Sequence, residues 1–477
     1  MRRTISVLVV ALMVITSFAQ TKTKPLSHDA KMEWWREAKF GMFVHWGPYC
    51  MYGGVYNGFN QRRGGAEWIM NRCKIPVREY KAKASTFNPV KFNADSLVLM
   101  AKNAGMKYIV FTSKHHDGFA MFKSNASKFN IVDYTPFKRD VVDELAKACR
   151  KHNMKLGLYY SQTQDWCNPG GGTIRKLSKE GWPDPDSTWV DDFTKKNLGG
   201  WDAIQRSKTI EQYFDEVAIP QIKEILNNYG DVAVIWFDTP HRISSEYAAK
   251  INNVLKEYPQ IIVNDRLKRK EYAGDYKTPE GRIPKPDAIK GVDWETCMNI
   301  GSSWGYKSWE NKWKDAKTII QNLNSIAARG GNYLLNVGPD AQGLVPAPAV
   351  NVLKTVGDWM KVNGEAIYGT QRSEVTVKWG EVIRKDDKKH SMYYLSVFKW
   401  PKNGKLVFDT DKKVKAATLL ATGEKLKFTK TDKGIEISVP KTAPDKYASI
   451  IKLDLGQKLP AIKLISNSDK EFKILDE

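Results

Sequence analysis

The sequence of 477 residues has little cysteine, no low-complexity segment and, after its first twenty residues, no long apolar run. Its 34 glycines and 21 prolines are too few for a collagen-like or linker-like chain. No internal segment reaches the roughly 18 uninterrupted apolar residues of a membrane-spanning helix, so we expect no membrane insertion. With 42% hydrophobic and 11% aromatic residues, the chain is not disordered either. These absences leave a globular protein long enough for one large core and an accessory domain.

The five cysteines are Cys50, Cys73, Cys149, Cys167 and Cys297, and they form no Cys-x-x-Cys pair. That spacing would have indicated a zinc or redox motif, and a chain of this length needs no disulfide framework to fold. We therefore expect buried free thiols. One disulfide, between Cys50 and Cys73, is the alternative.

The net charge of +22 raises the question of nucleic-acid binding, because phosphate recognition depends on such charge. The basic residues are spread along the whole chain, however, and form no stripe of lysine and arginine. A charge balance of this kind bears on solubility and steering rather than on fold. We therefore expect no nucleic-acid partner, and attraction toward sulfated or sialylated glycans stays open.

The N-terminus has the parts of a secretory signal peptide. Arg2 and Arg3 precede an apolar run over residues 5–18, and Ser17-Phe18-Ala19 has the small-x-small pattern of a cleavage site. No cysteine follows that site to accept a lipid. The pattern predicts that residues 1–19 are removed and that the mature protein is exported, either to a periplasm or to the medium.

Short apolar runs alternate with segments of helical periodicity between residues 39 and 368. Such alternation implies parallel strands linked by helices. The number and spacing of the units fit a (β/α)8-like TIM barrel over residues 20–369. Strands are predicted at 40–44, 108–111, 155–160, 232–237, 261–263, 292–294 and 333–337, and helices at 95–103, 141–152, 210–229, 244–257, 316–328 and 350–362.

The character of the sequence changes after residue 369. Residues 370–477 contain period-two apolar patterns and turn residues such as Lys402-Asn403-Gly404, and they contain no convincing helix. This pattern predicts a C-terminal antiparallel β-sandwich. Its strands are expected at 375–377, 392–398, 405–408, 416–420, 435–439 and 450–455.

In a barrel of this kind, catalytic groups come from the carboxyl ends of the strands. The residues that follow the predicted strands are rich in titratable and aromatic side chains. Imidazole and guanidinium groups bind sugar hydroxyls, and indole rings cover the apolar face of a pyranose, so a sugar pocket is expected. The candidates at the strand ends include His45, Trp46, His115, His116, Tyr160, Asp238, Arg266 and Glu295.

Two carboxylates stand out among these candidates. Asp238 follows the apolar run 232–237, and Glu295 follows the predicted strand 292–294. A pair of carboxylates flanking a glycosidic bond is the minimum required for its hydrolysis, one as nucleophile and one as general acid/base. Asp238 could instead cap the next helix, although Ser244 or Ser245 can do so. Glu295 could be an ion-pair partner, and its rivals for the role are Asp165, Asp293 and Glu67.

His115 and His116 could be metal ligands. Adjacent strand residues point to opposite faces, however, and the chain has neither an HxH after the first strand nor an HExxH. We therefore favour sugar contact for at least one of them over a metal site. No GxxxxGK[ST] or GxGxxG motif follows a strand, so nucleotide cofactors have no support.

Several motifs occur along the chain in a specific order. They are FGMFVHWG at 40–47, EW at 67–68, FNP at 87–89, KHHDGF at 114–119, GLYYS at 157–161, IWFD at 235–238, WETCM at 294–298, SWGY at 303–306 and NYLLNVGP at 332–339. Together these motifs resemble those of the family 29 glycoside hydrolases, the α-L-fucosidases. The resemblance covers nearly the whole mature chain.

The resemblance implies an exo-acting, retaining glycosidase without a metal or organic cofactor. Asp238 matches the family nucleophile and Glu295 is the best match to the acid/base. The implied partner is a fucosylated oligosaccharide or glycoconjugate, and the oligomeric state stays open. By the same match, His45, Trp46, His115, His116, Tyr160 and Arg266 resemble sugar-binding residues, and Glu67, Trp68 and Trp304 would line the pocket.

Two other functions remain open. One is a retaining glycosidase of the same fold that acts on another sugar, which a panel of aryl glycosides would detect. The other is a glycan-binding protein without activity. A protein of that second kind would be expected to lack one carboxylate, and both candidates are present.

Overall fold

The structure is a computed structural model that describes residues 27–61, 64–173, 192–197, 199–240 and 243–464. The predicted signal peptide, residues 1–19, lies outside the described residues. Within these ranges, no helix combines the length and apolar character that crossing a membrane requires.

The larger part of the chain forms a curled sheet of seven parallel strands. Their order in the sheet is β5-β4-β3-β2-β1-β7-β6, and helices cover its outer side, as the alternating sequence pattern predicted. The strands are β1 (Phe40–Val44), β2 (Tyr108–Lys114), β3 (Lys155–Ser161), β4 (Val232–Asp238), β5 (Ile262–Val263), β6 (Glu295–Asn299) and β7 (Asn332–Val337).

Alternate residues of these strands build two separate cores. Side chains of one parity, such as Phe43, Val110, Tyr159 and Trp236, meet inside the barrel. Side chains of the other parity join the larger core beneath the helices. This is the period-two alternation of a pleated strand whose two faces are both buried.

An irregular segment, residues 276–280, occupies the eighth position of the barrel, between β5 and β6. Isolated parallel bridges join Tyr276 to Asn264, Lys277 to Trp294 and Glu280 to Cys297. The bridging backbone bonds include those from the amide of Glu295 to the carbonyl of Lys277, at 2.8 Å, and from Gly281 to Cys297, at 2.9 Å. The sheet therefore closes, and Glu280 lies at the carboxyl end of this eighth position.

The prediction of a strand at 292–294 is wrong. The strand begins at Glu295 and ends at Asn299. The apolar residues Val292 and Trp294 are buried in the segment that leads into the strand rather than in the strand itself. Glu295 is therefore at the amino end of β6, the end opposite to the one where a barrel places its catalytic groups.

The helices begin at polar caps, as their sequences suggested. The Ser244 hydroxyl accepts from the amide of Tyr247 and so caps the helix after β4, which leaves Asp238 free of that role. The α-helices are His28–Ala38, Ile69–Arg72, Val77–Ala84, Ala94–Asn103, Ile131–Tyr134, Val141–His152, Asp192–Lys196, Ile210–Tyr213, Ile219–Asn227, Ser245–Leu255, Ala316–Ala328 and Ala347–Asn363, with a π-helical turn at Phe214–Ala218. Short 3-10 turns occur at Pro48–Met51, Ala66–Trp68, Ala203–Arg206, Pro286–Ile289 and Gly364–Ala366, and a small hairpin pairs Val55–Tyr56 with Phe59–Asn60.

The C-terminal part forms two antiparallel sheets. One has the order β8-β9-β14-β11 and the other β10-β13-β12. Residues 375–377, predicted as a strand, have no regular structure, and two strands were not foreseen, β8 and β12. The strands are β8 (Gly380–Asp386), β9 (Ser391–Val397), β10 (Lys405–Asp409), β11 (Ala416–Leu419), β12 (Phe428–Thr431), β13 (Gly434–Ser438) and β14 (Ser449–Asp454).

The four-stranded sheet is covered on both faces. Leu395 and Leu453 belong to the core shared with the second sheet, whereas Tyr394 and Ile450 belong to the core of the barrel. The indole N–H of Trp359 also donates to the carbonyl of Ala448 at 3.0 Å. The C-terminal sheets are therefore packed firmly against the barrel helices.

Candidate active site

A pocket opens at the carboxyl ends of the barrel strands. Eight of the residues predicted for the site line it, together with six that were not predicted. The predicted ones are His45, Glu67, Trp68, His115, His116, Asp238, Arg266 and Trp304, and the others are Phe43, Tyr159, Trp236, Thr239, Glu280 and Cys297.

The Asp238 carboxylate is held at the end of β4 by several donors. Arg266 Nη1 donates to Oδ1 at 2.9 Å, and the Tyr159 hydroxyl donates to Oδ2, also at 2.9 Å. The amide of Thr239 donates to Oδ1 at 2.7 Å. Donors of this kind favour the ionised carboxylate and fix its direction.

Arg266 joins a second carboxylate to the first. Its Nη2 donates to Glu280 Oε2 at 3.0 Å, while its Nη1 holds Asp238. Burial lowers the pKa of Arg266, but the charges of Glu280 and Asp238 raise it well above its usual value. The two carboxylates therefore share one permanently charged guanidinium and line the same pocket.

Glu295 does not reach the pocket, and this corrects its prediction as the acid/base. Its carboxylate lies one layer deeper inside the barrel, where it accepts from the Tyr108 hydroxyl and, at 3.2 Å, from the Trp236 indole. Only 1% of the residue is exposed, and burial raises its pKa to about 7. The physical reason is the position of Glu295 at the amino end of β6, below the pocket floor.

The buried Glu295 carboxyl should make stability depend on pH. Its pKa is higher in the folded protein than the ordinary value of 4.5, so the folded state binds more protons and stability falls as pH rises from about 4.5 to about 7. In Glu295→Gln this contribution is absent. Urea unfolding between pH 4 and pH 8 should show a decline that is smaller by about 3 kcal/mol in the variant. An equal decline in both proteins would contradict the proton on Glu295.

Trp46 and Tyr160 also lie outside the pocket, against the prediction. Trp46 packs on Phe92 in the outer core and donates to the carbonyl of Asp340 at 2.9 Å. Tyr160 points away from the barrel interior and donates to Gln221 at 2.8 Å. Its neighbour Tyr159 has the opposite strand parity and is the tyrosine that contacts Asp238.

Two conservative substitutions should distinguish the roles of Tyr159 and Tyr160. Tyr159→Phe removes a hydrogen bond to a charged group in the pocket, and we expect a roughly ten- to hundred-fold loss of kcat/KM for glycoside hydrolysis. Tyr160→Phe removes hydroxyl contacts with Gln221 and Tyr213, both outside the pocket, so it should lower stability by about 1 kcal/mol and leave kcat/KM unchanged. Similar kinetic losses in both variants would show that the parity assignment is wrong.

The three histidines of the pocket differ in the hydrogen bonds and burial of their ring nitrogens. Asn336 is oriented by donating to Asn299 and to the carbonyl of Trp304, so its amide oxygen accepts from His45 Nδ1 at 2.7 Å. Burial lowers the pKa of His45 to about 4. The Nε2 of the neutral ring is therefore an acceptor that a sugar hydroxyl can use.

His116 faces the nucleophile candidate. Ser161 donates to the carbonyl of Gln164, so its oxygen accepts from His116 Nδ1 at 2.7 Å. The Nε2 of His116 lies 3.6 Å from Asp238 Oδ2. His115 packs against the Tyr159 ring, and burial lowers its pKa well below the usual value. Both histidines are buried.

Glu67 and two indoles complete the wall. Glu67 Oε2 accepts from the amide of Gly305 at 2.8 Å, whereas its Oε1 is buried with no partner among the described residues. Burial raises the pKa of Glu67 to about 7. Trp304 packs against His45, and Trp68 against His116. These groups offer a polar contact between aromatic faces, which suits a sugar.

The remaining candidates have structural partners. Asp165 is fully buried in an ion pair with Lys114 at 3.0 Å, and Asp293 binds Arg36 at 2.7 Å at the amino end of the barrel. All five cysteines are free thiols, so Cys50 and Cys73 form no disulfide. Over the described ranges, no group of three His, Cys, Asp or Glu side chains is arranged to hold a metal ion.

Sequence reasoning missed Glu280 because it looked for acids after apolar runs. The segment 276–280 contains Pro279, which argues against a strand, and it has no apolar run. A weaker signal was available, since Tyr276, Thr278 and Glu280 alternate and would share one face of an extended segment. Thr278 indeed contacts Arg266, at 2.9 Å, on the same side as Glu280.

Comparisons with known proteins agree with this geometry. The sequence model described as Alpha-L-fucosidase matches residues 9–365, and the one described as Alpha-L-fucosidase C-terminal domain matches residues 381–454. The tissue alpha-L-fucosidase of Homo sapiens is 30% identical over 445 residues, which are 88% of each chain. That of Mus musculus is 30% identical over 431 residues, 86% of this chain and 88% of the relative.

Two solved structures are similar over most of their length. Alpha-L-fucosidase isoenzyme 1 from Paenibacillus thiaminolyticus has a TM-score of 0.77 and 29% identity, covering 90% of this chain and 99% of that one. A GH29 alpha-L-fucosidase from Bacteroides thetaiotaomicron has a TM-score of 0.75 and 28% identity, covering 90% and 97%. That second structure is a trapped covalent intermediate with 2-fluoro-fucosyl fluoride, obtained with a glutamate-to-glutamine mutant.

Proposed function

Because the chain belongs to the α-L-fucosidase family, we propose that it is an exo-acting, retaining enzyme that removes terminal α-L-fucosyl residues from glycans. The observation that carries the mechanism is the placement of Asp238 and Glu280 on the two terminal nitrogens of Arg266, in one pocket. Two carboxylates on one guanidinium in one pocket supply the two groups that a double-displacement mechanism needs, a nucleophile and a general acid/base.

We assign the nucleophile to Asp238. A carboxylate oxygen attacks the anomeric carbon of the fucosyl unit, the bond to the aglycone oxygen breaks, and a covalent fucosyl-enzyme forms. The donors around Asp238 direct its carboxylate oxygens and favour their negative charge before the attack. Covalent trapping in the Bacteroides thetaiotaomicron relative supports the same type of intermediate for this chain.

We assign the general acid/base to Glu280 rather than to Glu295. Glu280 delivers its proton to the departing aglycone oxygen and then takes a proton from the water that releases fucose. Its side chain is 38% exposed and that of Asp238 is 15% exposed. The more open carboxylate is the one that must meet the leaving group and the incoming water, which supports this division of roles.

The rest of the pocket suits a 6-deoxy sugar. Phe43, Trp236 and Trp304 provide apolar surface, and His45 and Glu67 provide polar contacts for hydroxyl groups. The substrate we propose is a fucosylated oligosaccharide or glycoconjugate. Export to a periplasm or to the medium also stays a proposal, because it rests on residues 1–19 of the sequence alone.

Hydrolysis of 4-nitrophenyl α-L-fucoside by the mature protein, followed by NMR, tests the proposal. We expect release of 4-nitrophenol together with fucose that appears first as the α anomer and later mutarotates. The matching α-galactoside, β-galactoside and β-glucoside should be cleaved far more slowly.

Three outcomes would count against the proposal. First appearance of β-fucose would overturn the retaining mechanism. Preferred cleavage of another glycoside would assign a different sugar. Binding of fucosylated oligosaccharides without cleavage of any substrate would show a glycan-binding protein.

A further inference from the structure

A second cavity lies at the amino end of the barrel, opposite to the active site. It has a volume of about 150 Å³ and is bordered by the barrel, by the linker to the C-terminal sheets and by residues after β14. Lys39, immediately before β1, and Asp293, two residues before β6, place it at that end. We call it the cationic cavity.

Four cationic side chains line the cationic cavity, and only one carboxylate does. Arg36 is paired with that carboxylate, Asp293, at 2.7 Å, and Arg329 is paired with Glu381 at 3.0 Å. Lys39 and Arg372 have no carboxylate within ion-pair distance among the described residues. Two positive charges are therefore left over at this cavity.

Lys39 is as buried as the apolar residues of the core. Only 2% of the residue is exposed, and its Nζ donates to the carbonyl of Gly330 at 3.1 Å. Burial lowers the pKa of Lys39 to about 8, a shift that the charge of Asp293 opposes. An anion beside the ammonium would raise this pKa again.

Arg372 supplies the most unusual feature of the cavity. The residue is 9% exposed, and neither its Nε nor its Nη1 has a hydrogen-bond partner within the described ranges. Arg329 Nε is orphaned in the same way. Buried donors on a charged group are normally satisfied, because leaving them unpaired is strongly unfavourable. These donors line a cavity, so a ligand can satisfy them.

We propose that the cationic cavity binds a tetrahedral oxyanion, sulfate or phosphate, either free or as an ester on a saccharide. The planar guanidinium group can donate two parallel hydrogen bonds to two oxygens of such an anion. The cavity, at about 150 Å³, is large enough for one sulfate or phosphate group. Arg372 also lines an adjoining cavity of about 660 Å³ that contains Tyr393. That larger space can hold the sugar of a sulfated or phosphorylated glycan.

Thermal unfolding in sulfate, phosphate and chloride at equal ionic strength tests this proposal. For the wild type, 10 mM sulfate or phosphate should raise Tm by about 3 °C or more over chloride, since an anion bound only by the folded state stabilises it. Arg372→Met should abolish this rise. It should also have a higher Tm than the wild type in chloride, because an unpaired buried charge has been removed.

Two further variants keep the result interpretable. Lys361→Met removes one exposed positive charge elsewhere and should retain the full response to sulfate. Arg372→Lys keeps the charge but loses the fork, and should weaken sulfate binding at least about ten-fold by calorimetry. Unchanged activity on 4-nitrophenyl α-L-fucoside confirms that each variant is folded. Equal responses of wild type and Arg372→Met, or no response in either, would overturn the proposal.

Calorimetry with glucose 6-sulfate, glucose and inorganic sulfate then separates the two sources of the anion. Tighter binding of the sugar sulfate than of inorganic sulfate would identify an anionic glycan as the ligand. Binding of inorganic sulfate alone would identify a free anion. Binding of neither, at concentrations up to 10 mM, would refute the oxyanion site.

Discussion

Asp238→Gly is expected to lower kcat on 4-nitrophenyl α-L-fucoside by at least about 10⁴-fold, the size of effect seen when a nucleophile is removed. The attacking oxygen is lost, while Arg266 and Tyr159, which held it at 2.9 Å, stay in place. Added sodium azide should enter the vacated space, where these donors attract an anion, and restore part of the activity. Because azide attacks from the side of the missing carboxylate, NMR should identify the product as β-L-fucosyl azide.

The control for Asp238→Gly is a variant that removes the negative charge but leaves no empty space. Asp238→Asn keeps the volume of the side chain, so it should be as inactive as the glycine variant but without rescue by azide. Retention of more than about a tenth of wild-type kcat in either variant would refute the nucleophile assignment. An α-configured azide product from Asp238→Gly would refute it as well.

Glu280→Ala is expected to show a loss that depends on the leaving group. General acid catalysis contributes about 10²- to 10⁴-fold, and it matters most for a poor leaving group such as another sugar. We expect kcat/KM to fall by about 10³-fold on a fucosyl disaccharide and by less than about ten-fold on α-L-fucosyl fluoride. Azide needs no base to attack the covalent intermediate, so it should raise kcat and give the α-configured azide. The two variants thus give azides of opposite configuration.

Glu295→Gln is the matched control for the acid/base assignment. The Glu295 carboxylate contacts Tyr108 and Trp236 below the pocket, so the variant should keep kcat/KM within about three-fold on both substrates. If Glu295→Gln shows the leaving-group dependence and Glu280→Ala does not, the two assignments must be exchanged.

The nucleophile candidate could be identified from sequence because its strand is regular. The run 232–237 is entirely apolar and the polar residue after it marks the carboxyl end of β4. His45 follows the apolar strand β1 in the same way. Where a barrel strand is an uninterrupted apolar run, the first polar residue after the run predicts the carboxyl end of the strand.

Strand parity could not be obtained in this way. Both faces of a barrel strand are buried, so Tyr159 and Tyr160 have the same apolar surroundings in sequence although they point in opposite directions. Only the register with neighbouring strands decides which one faces the pocket. Trp46 illustrates a related limit, because beyond the last strand residue the chain turns and the alternation no longer applies.

The acid/base candidate was misplaced for a different reason. The apolar residues before Glu295 resemble a strand, but they belong to the irregular segment that precedes β6, so Glu295 starts the strand instead of ending it. Glu280 belongs to the eighth barrel position, whose pairing depends on a few bridges to β5 and β6. Such a segment has no apolar run and only a weak alternation, since tertiary contacts rather than local preference hold it extended.

The irregular segment at the eighth barrel position is a part of the barrel that could be replaced by another sequence. Asp238 ends a strand that is paired along its length, whereas Glu280 is carried by a short stretch attached through isolated bridges. A designer could graft a different loop over residues 268–280, with a new proton donor or none, if the graft keeps Thr278, whose hydroxyl accepts from Arg266 Nε at 2.9 Å and so helps to hold the partner of Asp238. Engineering toward transfer to acceptors other than water would begin with that graft.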